Sequence, residues 1–577
     1  MKTITDNNES EFQNRCLGDY NMVVALSKSS IDFLFKMMMK VGSARDTWSI
    51  RVTYDTFQDP QEIFINESKS DYERAFEAGK GKIFMQGFYT TLRQFTVQMI
   101  ESDNQSVIFQ IHFKNGDMSI MAATGSIKNI NLDGMIYAFQ VDLNKMAKPY
   151  EEAIQDLDTE VVQNIDSVIA QVDEEGIKPE DFTIQSLFLN FENADIVNYS
   201  KHYTSFPEDL SGKDIGHLTS FQTLLTNYYN SDLRDTPFIL GYCVTLPTLK
   251  PIKGAVFQPK TLNYSTSYSE DPNRAAINYM MMIDDTVVKD NIIIDPLIRE
   301  KMGSEMNGVL ALNNDLFFER YLKLFFEQIT TAFKESINDL KGEQNSKSHT
   351  ALAGFTGADT ITIKESQFEV TRLDASRIEL GHGKVNLQHT QKTKFSDDRG
   401  PHYSTSVTSK NIELSPKATL SIQEVEVSKN ITESYLEIYL KLEQTVVYSV
   451  PYASNPATKS NTKQKQPDGV IFSIKPSQGG KFSCSYKKVE HKKLDLIDGS
   501  QGTIDYVDDT ITGEFYSNIN SDKFLNSLLK RLTVGLNSLP QIILPISNIY
   551  AYNSINFIGS KRGDAITFDA AYIASLS

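Results

Sequence analysis

The residues in this sequence that could bind a metal ion are three histidines and two aspartates in one segment. These are His382, His389, His402, Asp397 and Asp398. Imidazole nitrogens and carboxylate oxygens are ordinary metal ligands, but this spacing matches no standard site. The segment is rich in Gly, Ser and Thr, so solvated histidines on a loop or edge strand are the simpler interpretation. We therefore predict no metal site and no cofactor.

The usual motifs of phosphate-binding and hydrolytic enzymes are missing. Residues 78–81 (Ala-Gly-Lys-Gly) and 381–384 (Gly-His-Gly-Lys) lack the spacing of a phosphate-binding loop and read as turns. Neither Gly-x-Ser-x-Gly nor His-Glu-x-x-His occurs. The adjacent carboxylates Asp284 and Asp285 would point to opposite faces of a strand, so a turn is the better prediction there. We predict no catalytic residue and expect a protein that is not an enzyme.

The clearest charge anomaly is a lysine-rich segment near the C-terminal end of an acidic chain. Residues 459–493 contain nine lysines and two acidic residues, whereas the whole chain has a formal net charge of −17. A basic patch is attracted to anionic lipid by on the order of 1 kcal/mol per residue at close approach. A solvated lysine-rich loop that keeps the protein soluble is the alternative. The lysines we predict to contact lipid or membrane are Lys459, Lys463, Lys465, Lys487 and Lys488.

Methionine and phenylalanine clusters suggest a second kind of contact. Three consecutive methionines occur at 37–39 and again at 280–282, and paired phenylalanines occur at 317–318 and 325–326. Such deformable apolar side chains suit a site for acyl chains, but they would equally make an ordinary core. As lipid-lining residues we predict Met38, Met281, Phe318 and Phe325.

The bulk composition excludes several classes of protein. At 577 residues the chain is too long for one compact core. Its net negative charge argues against a nucleic-acid ligand. Three cysteines more than two hundred residues apart give no disulfide framework. The polar, acidic first residues do not resemble a Sec signal peptide, and no apolar run is long enough for a transmembrane helix.

Four segments have the apolar periodicity of amphipathic helices. The first follows a serine-rich cap at 27–30 and stops at Gly42, and the second carries a stripe from Ile154 to Val172. The third runs from about Asn314 to Ile337, and the fourth lies between a cap at Ser521 and Pro540. All four are apolar enough to require a sheet or groove as partner.

Between these helices the pattern indicates strands. Residues 435–443 alternate cleanly, with Leu436, Ile438 and Leu440 on one face. Other strand-like runs are 48–53, 107–112, 135–141, 182–189, 238–244 and 470–474. We predict hairpin turns at Asn115-Gly116-Asp117 and at Gly479-Gly480, and a long hairpin loop at 453–469. Meanders interrupted by isolated helices predict an α+β protein of long, curved antiparallel sheets.

A polar stretch at 341–350 is the best candidate for a domain boundary. It divides the chain into a module at 16–340 and a second sheet-plus-helix module at 351–577. The two modules could also be continuous in one elongated structure.

Several sequence segments in the first module resemble those of the TULIP (tubular lipid-binding) superfamily, and within it the OrfX-type proteins of clostridial neurotoxin and insecticidal toxin gene clusters. The matching segments are residues 21–27 (Asn-Met-Val-Val-Ala-Leu-Ser), the strand at 182–190 running into 191–195, the helix at 218–229 followed by 237–242, and residues 262–268, 276–282 and 307–312. The likeness covers roughly residues 19–337. Beyond Lys341 it is architectural, although 544–568 resembles the family's closing segment.

The resemblance implies a fold in which bent sheets roll around long amphipathic helices, leaving an apolar seam. It also implies a non-enzymatic protein that binds phospholipid or another amphipathic ligand and serves a bacterial toxin system with other proteins of the cluster. The resemblance leaves an insecticidal role open. Such a protein would be made in the bacterial cytoplasm and released, if at all, by a non-Sec route. Two alternatives stay open, namely a structural interaction subunit without lipid and a pore-forming toxin.

Overall fold

The computed structural model describes residues 17–572 with gaps. The residues left out within that range are 18, 43, 57–58, 123, 171–176, 211–214, 234–237, 248–255, 272–273, 285–296, 298–305, 343–354, 375, 398, 429–430, 453–454, 478–480, 490–520, 541, 546–549 and 559–564. The described part is an α+β protein with strongly curled antiparallel sheets.

Helices occur singly or in consecutive pieces between strands. They are α1 (Lys28–Lys40), α2 (Lys69–Gly79), α3 (Tyr150–Ala153), α4 (Thr159–Ile169), α5 (Ile215–Tyr228), α6 (Asn314–Leu316), α7 (Lys323–Gly342) and α8 (Asp522–Asn537). A π-helical turn, Phe317–Leu322, joins α6 to α7, so the predicted third helix is continuous. The predicted caps of the first and fourth helices are confirmed, because Ser27 and Ser521 each accept a hydrogen bond from the backbone N–H three residues on.

Three antiparallel sheets account for the strands. The first has the order β10-β11-β1-β12-β23-β22. Its strands are β1 (Met22–Ser27), β10 (Thr261–Ser267), β11 (Ala276–Met282), β12 (Met306–Asn313), β22 (Tyr550–Ile558) and β23 (Ala565–Tyr572). It therefore pairs strands from the beginning, middle and end of the chain.

The second sheet has the order β21-β9-β8-β7-β5-β4-β2-β3, with β6 beside β5. Its strands are β2 (Thr47–Thr56), β3 (Asp59–Ile65), β4 (Phe84–Ile100), β5 (Asp103–Met121), β6 (Ile127–Asn131), β7 (Ile136–Pro149), β8 (Thr183–Asn190), β9 (Phe238–Thr245) and β21 (Ile542–Ile543). The inner face is rich in aromatic rings, and the single tryptophan, Trp48, stacks on Tyr228 of α5 with ring centroids 4.8 Å apart.

The third sheet, the large sheet below, has the order β13-β16-β17-β18-β19-β20, with β14 and β15 off this path. Its strands are β13 (Phe355–Gln367), β14 (Thr371–Arg372), β15 (Arg377–Glu379), β16 (His382–Asp397), β17 (Gly400–Ser428), β18 (Ile431–Tyr452), β19 (Asn455–Pro476) and β20 (Phe482–Val489). The predicted alternation in β18 is confirmed, because Leu436, Ile438 and Leu440 are buried.

One main hydrophobic core joins residues from both predicted modules. Phe325 of α7 packs edge to face on Phe472 of β19 at 5.2 Å, and Phe333 stacks on Phe368 at 5.5 Å. The predicted linker at 341–350 lies mostly outside the described residues, since α7 ends at Gly342. The division into 16–340 and 351–577 stays a prediction.

The hairpin predicted at Asn115-Gly116-Asp117 is wrong, because β5 runs straight through these residues. Gly116 has a φ of +149° and pairs with Thr90, close to the point between Asn115 and Phe113 where β5 shifts register against β4. Glycine is required there for an irregularity within a strand. The other predicted turn, at Gly479-Gly480, lies outside the described residues, although β19 and β20 on either side of it are paired.

The predicted loop at 453–469 is also wrong, because β19 begins at Asn455 and pairs with β18. Polar composition suggested a loop, but a strand ladder is made by backbone groups and tolerates polar side chains.

The predicted second helix is broken into α3 and α4. Asp158 has an extended backbone and stands at the N-cap position of α4 without a side-chain capping hydrogen bond. Asp156 accepts a hydrogen bond from Lys148 at 2.8 Å. Asp is a poor residue for a helix interior, so the apolar stripe continues across a break.

Candidate functional site

Helices α7 and α8 lie side by side and are held by one close contact. The hydroxyl of Tyr321, in the π-helical turn before α7, donates a buried hydrogen bond of 2.8 Å to the carbonyl of Leu532. A Cβ atom on Gly535 would lie 2.6 Å from the Tyr321 ring, so only glycine permits this approach. The contact fixes α8 against the start of α7.

Further along, α7 and α8 diverge and leave a groove of about 520 Å³. Its lining residues are Leu324, Glu327, Gln328, Thr331, Ala332, Glu335 and Ser336 on α7, and Phe524, Ser527 and Arg531 on α8. The α7 residues repeat at helical spacing, so they form one stripe. The volume lies within the ~300–1,000 Å³ typical of small-molecule sites.

The groove is amphipathic. Leu324, Ala332 and Phe524 provide apolar surface, while Arg531 is the one cation among the lining residues. The Oε1 atom of Gln328 is inaccessible to solvent and has no hydrogen-bond partner among the described residues. A buried amide oxygen without a hydrogen-bond partner is costly.

A basic strand borders the N-terminal end of α8. Lys488 of β20 forms an ion pair of 2.8 Å with Asp522, and Tyr486 donates a hydrogen bond to the same carboxylate at 2.8 Å. These bonds, first from Lys488 and then from Tyr486, hold the pKa of Asp522 below its usual value. Asp522 lies two residues before Phe524, so Lys488 lies near one end of the groove.

The five predicted lysines all lie on the β19–β20 hairpin. Lys487 and Lys488 are exposed on β20. Lys459, Lys463 and Lys465 lie on β19 opposite Val450, Val446 and Gln444 of β18. Their contact with lipid stays a prediction.

The predicted apolar lining residues lie elsewhere. Met38, Met281, Phe318 and Phe325 are buried in the main core and pack against the protein itself. None of them lines the groove between α7 and α8. Their role in binding stays a prediction, and their surroundings resemble the ordinary core that was the alternative.

The three histidines weighed in the sequence as metal ligands lie at separate positions on two strands of the large sheet, His382 and His389 on β16 and His402 on β17. His382 and His389 are seven residues apart on β16, roughly 23 Å at the rise of a strand. His382 instead contacts Glu365 at 2.9 Å. Among the described residues no group of three or more His, Cys, Asp or Glu side chains could hold a metal ion.

Two cysteines are described, and both are free thiols. Burial raises the pKa of Cys243 to about 12 and that of Cys484 to about 11. Thiols held protonated in this way are poor nucleophiles.

The groove was missed at the sequence level. A signal existed, because residues 324, 328, 331 and 335 form a mixed apolar and polar stripe beside the aromatic stripe of the third helix. What could not be predicted is that α8 would lie next to this stripe, since the two helices are almost two hundred residues apart in sequence.

Fold and groove together define an α+β protein in which curved antiparallel sheets pack against helices and leave an amphipathic groove between two of them. In the described part of the chain, no helix has the length and apolarity needed to cross a membrane.

No protein-family model matches the chain, and no curated protein does. Among solved structures, P47 from Clostridium botulinum A2 is similar at a TM-score of 0.35 and 9% identity, over 96% of this chain and 98% of that one. P47 of Clostridium botulinum E1 is similar at a TM-score of 0.35 and 11% identity, with the same coverage. A lipopolysaccharide binding protein is similar at a TM-score of 0.30 and 9% identity, over 97% of this chain and all of that one.

Proposed function

We propose that this protein binds phospholipid or a similar amphipathic ligand without catalysing a reaction, and that it serves a bacterial toxin system. The observation that carries the lipid-binding proposal is the amphipathic groove between α7 and α8 beside the basic strand β20. The toxin association is supported by the sequence resemblance to OrfX-type proteins.

The arrangement matches the two parts of an amphipathic ligand. An apolar chain would remove Leu324, Ala332 and Phe524 from water, at roughly 25 cal/mol per Å² of apolar surface buried. An anionic headgroup would meet Lys488, and a charge-assisted hydrogen bond to its ammonium group is stronger than a neutral one. Asp522, already paired with Lys488, would be the competing anion.

Liposome flotation tests the basic surface. The variant replaces Lys459, Lys463, Lys465, Lys487 and Lys488 with Ser, and its control replaces five exposed lysines elsewhere, namely Lys36, Lys40, Lys82, Lys114 and Lys334. With vesicles containing phosphatidylserine, we expect the first variant to lose most binding, because its lysines attract the anionic lipid, and the control to keep it. Since both variants lose the same charge, a difference between them reflects the position of the lysines and not the net charge. Absence of flotation by the intact protein would contradict the proposal.

A groove-filling variant tests the apolar part. Ser527→Trp places a large ring among the lining residues, whereas Ser102→Trp places the same ring in an exposed turn on the second sheet. Retention of a lipid by the purified protein, detected by native mass spectrometry, is expected to fall for Ser527→Trp only. A stable complex with another protein and no detectable lipid would instead favour the structural-subunit alternative.

A further inference from the structure

The large sheet has a second face, pointing away from the core, that takes no part in lining the groove. In β18 the buried residues Leu436, Ile438 and Leu440 alternate with half-buried Tyr435, Glu437, Tyr439 and Lys441. Neighbouring strands add Ile471, Ser473 and Lys475 on β19 and Ser483, Ser485 and Lys487 on β20, as the strand register requires. We call this set of residues the outer patch.

At the outer patch an aromatic ring lies against bare backbone. A Cβ atom on Gly469 would be 2.5 Å from Cε2 and 3.3 Å from Cζ of Tyr439, so the ring lies across Gly469 on the neighbouring strand. Only glycine allows a ring to come so close, and rings often cover a strand glycine in this way. Tyr439 is thus held along the sheet instead of projecting from it.

Cations surround the tyrosines of the outer patch. Lys441 Nζ lies 5.0 Å from the Tyr439 ring centroid, and Lys475 Nζ lies 4.3 Å from that of Tyr435. Lys487 is exposed on the adjacent strand, opposite Ile471. The carboxylate within the patch is Glu437, which accepts hydrogen bonds from Ser473 and Tyr435 at 3.5 Å each. Three lysines against one glutamate give a positive local charge in a protein of net charge −17.

We propose that the outer patch binds an acidic oligosaccharide, a chain of sugar rings carrying sulfate or carboxylate groups. The apolar face of a sugar ring would stack on Tyr439, and its anionic groups would bind Lys441, Lys475 and Lys487. Hydroxyl groups of the sugar would exchange hydrogen bonds with Ser473, Ser485 and Glu437. A membrane surface is a poorer match, because side chains that anchor in lipid must project, and Tyr439 lies along the sheet.

Isothermal titration calorimetry with a sulfated hexasaccharide prepared from heparin tests this proposal. The intact protein is expected to bind it more tightly than maltohexaose, which is neutral, and more tightly than inorganic polyphosphate, which lacks sugar rings. Tyr439→Ala should weaken binding about 3- to 10-fold, which is the worth of one aromatic contact. Tyr439→Phe should bind as the intact protein does, because the ring is kept.

A matched lysine pair separates specific binding from general attraction. The double variant Lys475→Ser/Lys487→Ser should bind the hexasaccharide more weakly and with a smaller dependence on salt. The control is Lys69→Ser/Lys334→Ser, in which both lysines are exposed elsewhere, and it should bind as the intact protein does. Far-ultraviolet circular dichroism and a urea unfolding curve establish that each variant is folded. Equal affinity for polyphosphate and hexasaccharide, or no effect of Tyr439→Ala in a folded variant, would overturn the proposal, as would no binding by the intact protein.

Discussion

Individual glycines show how closely the strands and helices approach one another. Gly116 in β5 has a φ of +149°, and a Cβ atom there would lie 2.5 Å from the carbonyl oxygen of Tyr89. Its N–H donates to Asp133 Oδ1 at 2.9 Å, which ties the irregular strand to the turn before β7. Gly116 therefore lies in a tight approach of the two strands, next to the point where β4 and β5 change register.

We expect Gly116→Ala to destabilise the protein by about 2–3 kcal/mol, because it adds a clash to an unfavourable backbone conformation. Gly134→Ala is the control, since Gly134 also has a positive φ but nothing lies within 4 Å of its Cβ position. It should cost only about 1 kcal/mol. The measurement is a urea unfolding curve followed by the fluorescence of Trp48, the only tryptophan. Equal losses in the two variants would contradict the clash.

His112 should make stability depend on pH. Burial lowers the pKa of His112, with further lowering by Arg93 and Lys28, and its Nε2 lies 2.8 Å from Thr96 Oγ1. Because the unfolded chain binds this proton more readily, its contribution to stability is complete above the ordinary histidine pKa of about 6.5 and is lost as pH falls below it.

We therefore expect the urea midpoint to fall between pH 7.5 and pH 5.5, and His112→Gln to reduce that fall. His202→Gln is the control, since His202 lies on the segment between β8 and α5 and its ring faces Tyr203. If the urea midpoint of His112→Gln falls with pH as much as that of the intact protein, protonation of His112 does not cause the loss of stability.

At the scale of elements, the ends of helices were predictable and their partners were not. Ser27 and Ser521 indicate the starts of helices, because each side chain accepts a hydrogen bond from a backbone N–H of the first helical turn. The strand pattern of β18 was also readable, since one face is buried. By contrast, β19 has polar side chains that read as a loop, and its pairing with β18 depends on backbone groups that composition does not report.

The contact between α7 and α8 predicts that a Gly→Ala substitution within a helix lowers the free energy of unfolding. Replacing a helical Gly by Ala normally stabilises by about 1 kcal/mol. Gly535→Ala should instead destabilise, because its Cβ would lie 2.6 Å from the Tyr321 ring and would strain the hydrogen bond to Leu532. Asn526→Ala, at an exposed position of the same helix that does not line the groove, serves as control for helix propensity. A stabilising Gly535→Ala in urea unfolding would show that the helices are not this close.

At the scale of the whole molecule, the sheets bring distant parts of the chain together. β1 pairs with β11 and β12, and β12 in turn pairs with β23 near the end of the chain. The class of fold was predictable from alternation and from isolated amphipathic helices, but the order of strands was not, because sequence patterns specify which face is buried and not which strand lies alongside.

The groove is likewise formed by segments that are far apart in the sequence. Its α7 wall comes from residues 324–336 and its α8 wall from residues 524–531, and the core contacts of Phe325 with β19 hold α7 in place beside them. Sequence reasoning selected buried apolar residues for the ligand, whereas the structure leaves space beside the half-polar stripe of α7. A ligand site lies where packing is incomplete, which single-residue hydrophobicity does not reveal.

Photo-crosslinking with a phosphatidylserine that carries a diazirine on its acyl chain tests lipid binding in the groove most directly. After irradiation with vesicles and proteolysis, mass spectrometry locates the labelled residues. We expect adducts on Leu324, Thr331 and Phe524, and their loss in Ser527→Trp. Adducts confined to other surfaces, or no adducts in the intact protein, would contradict the account.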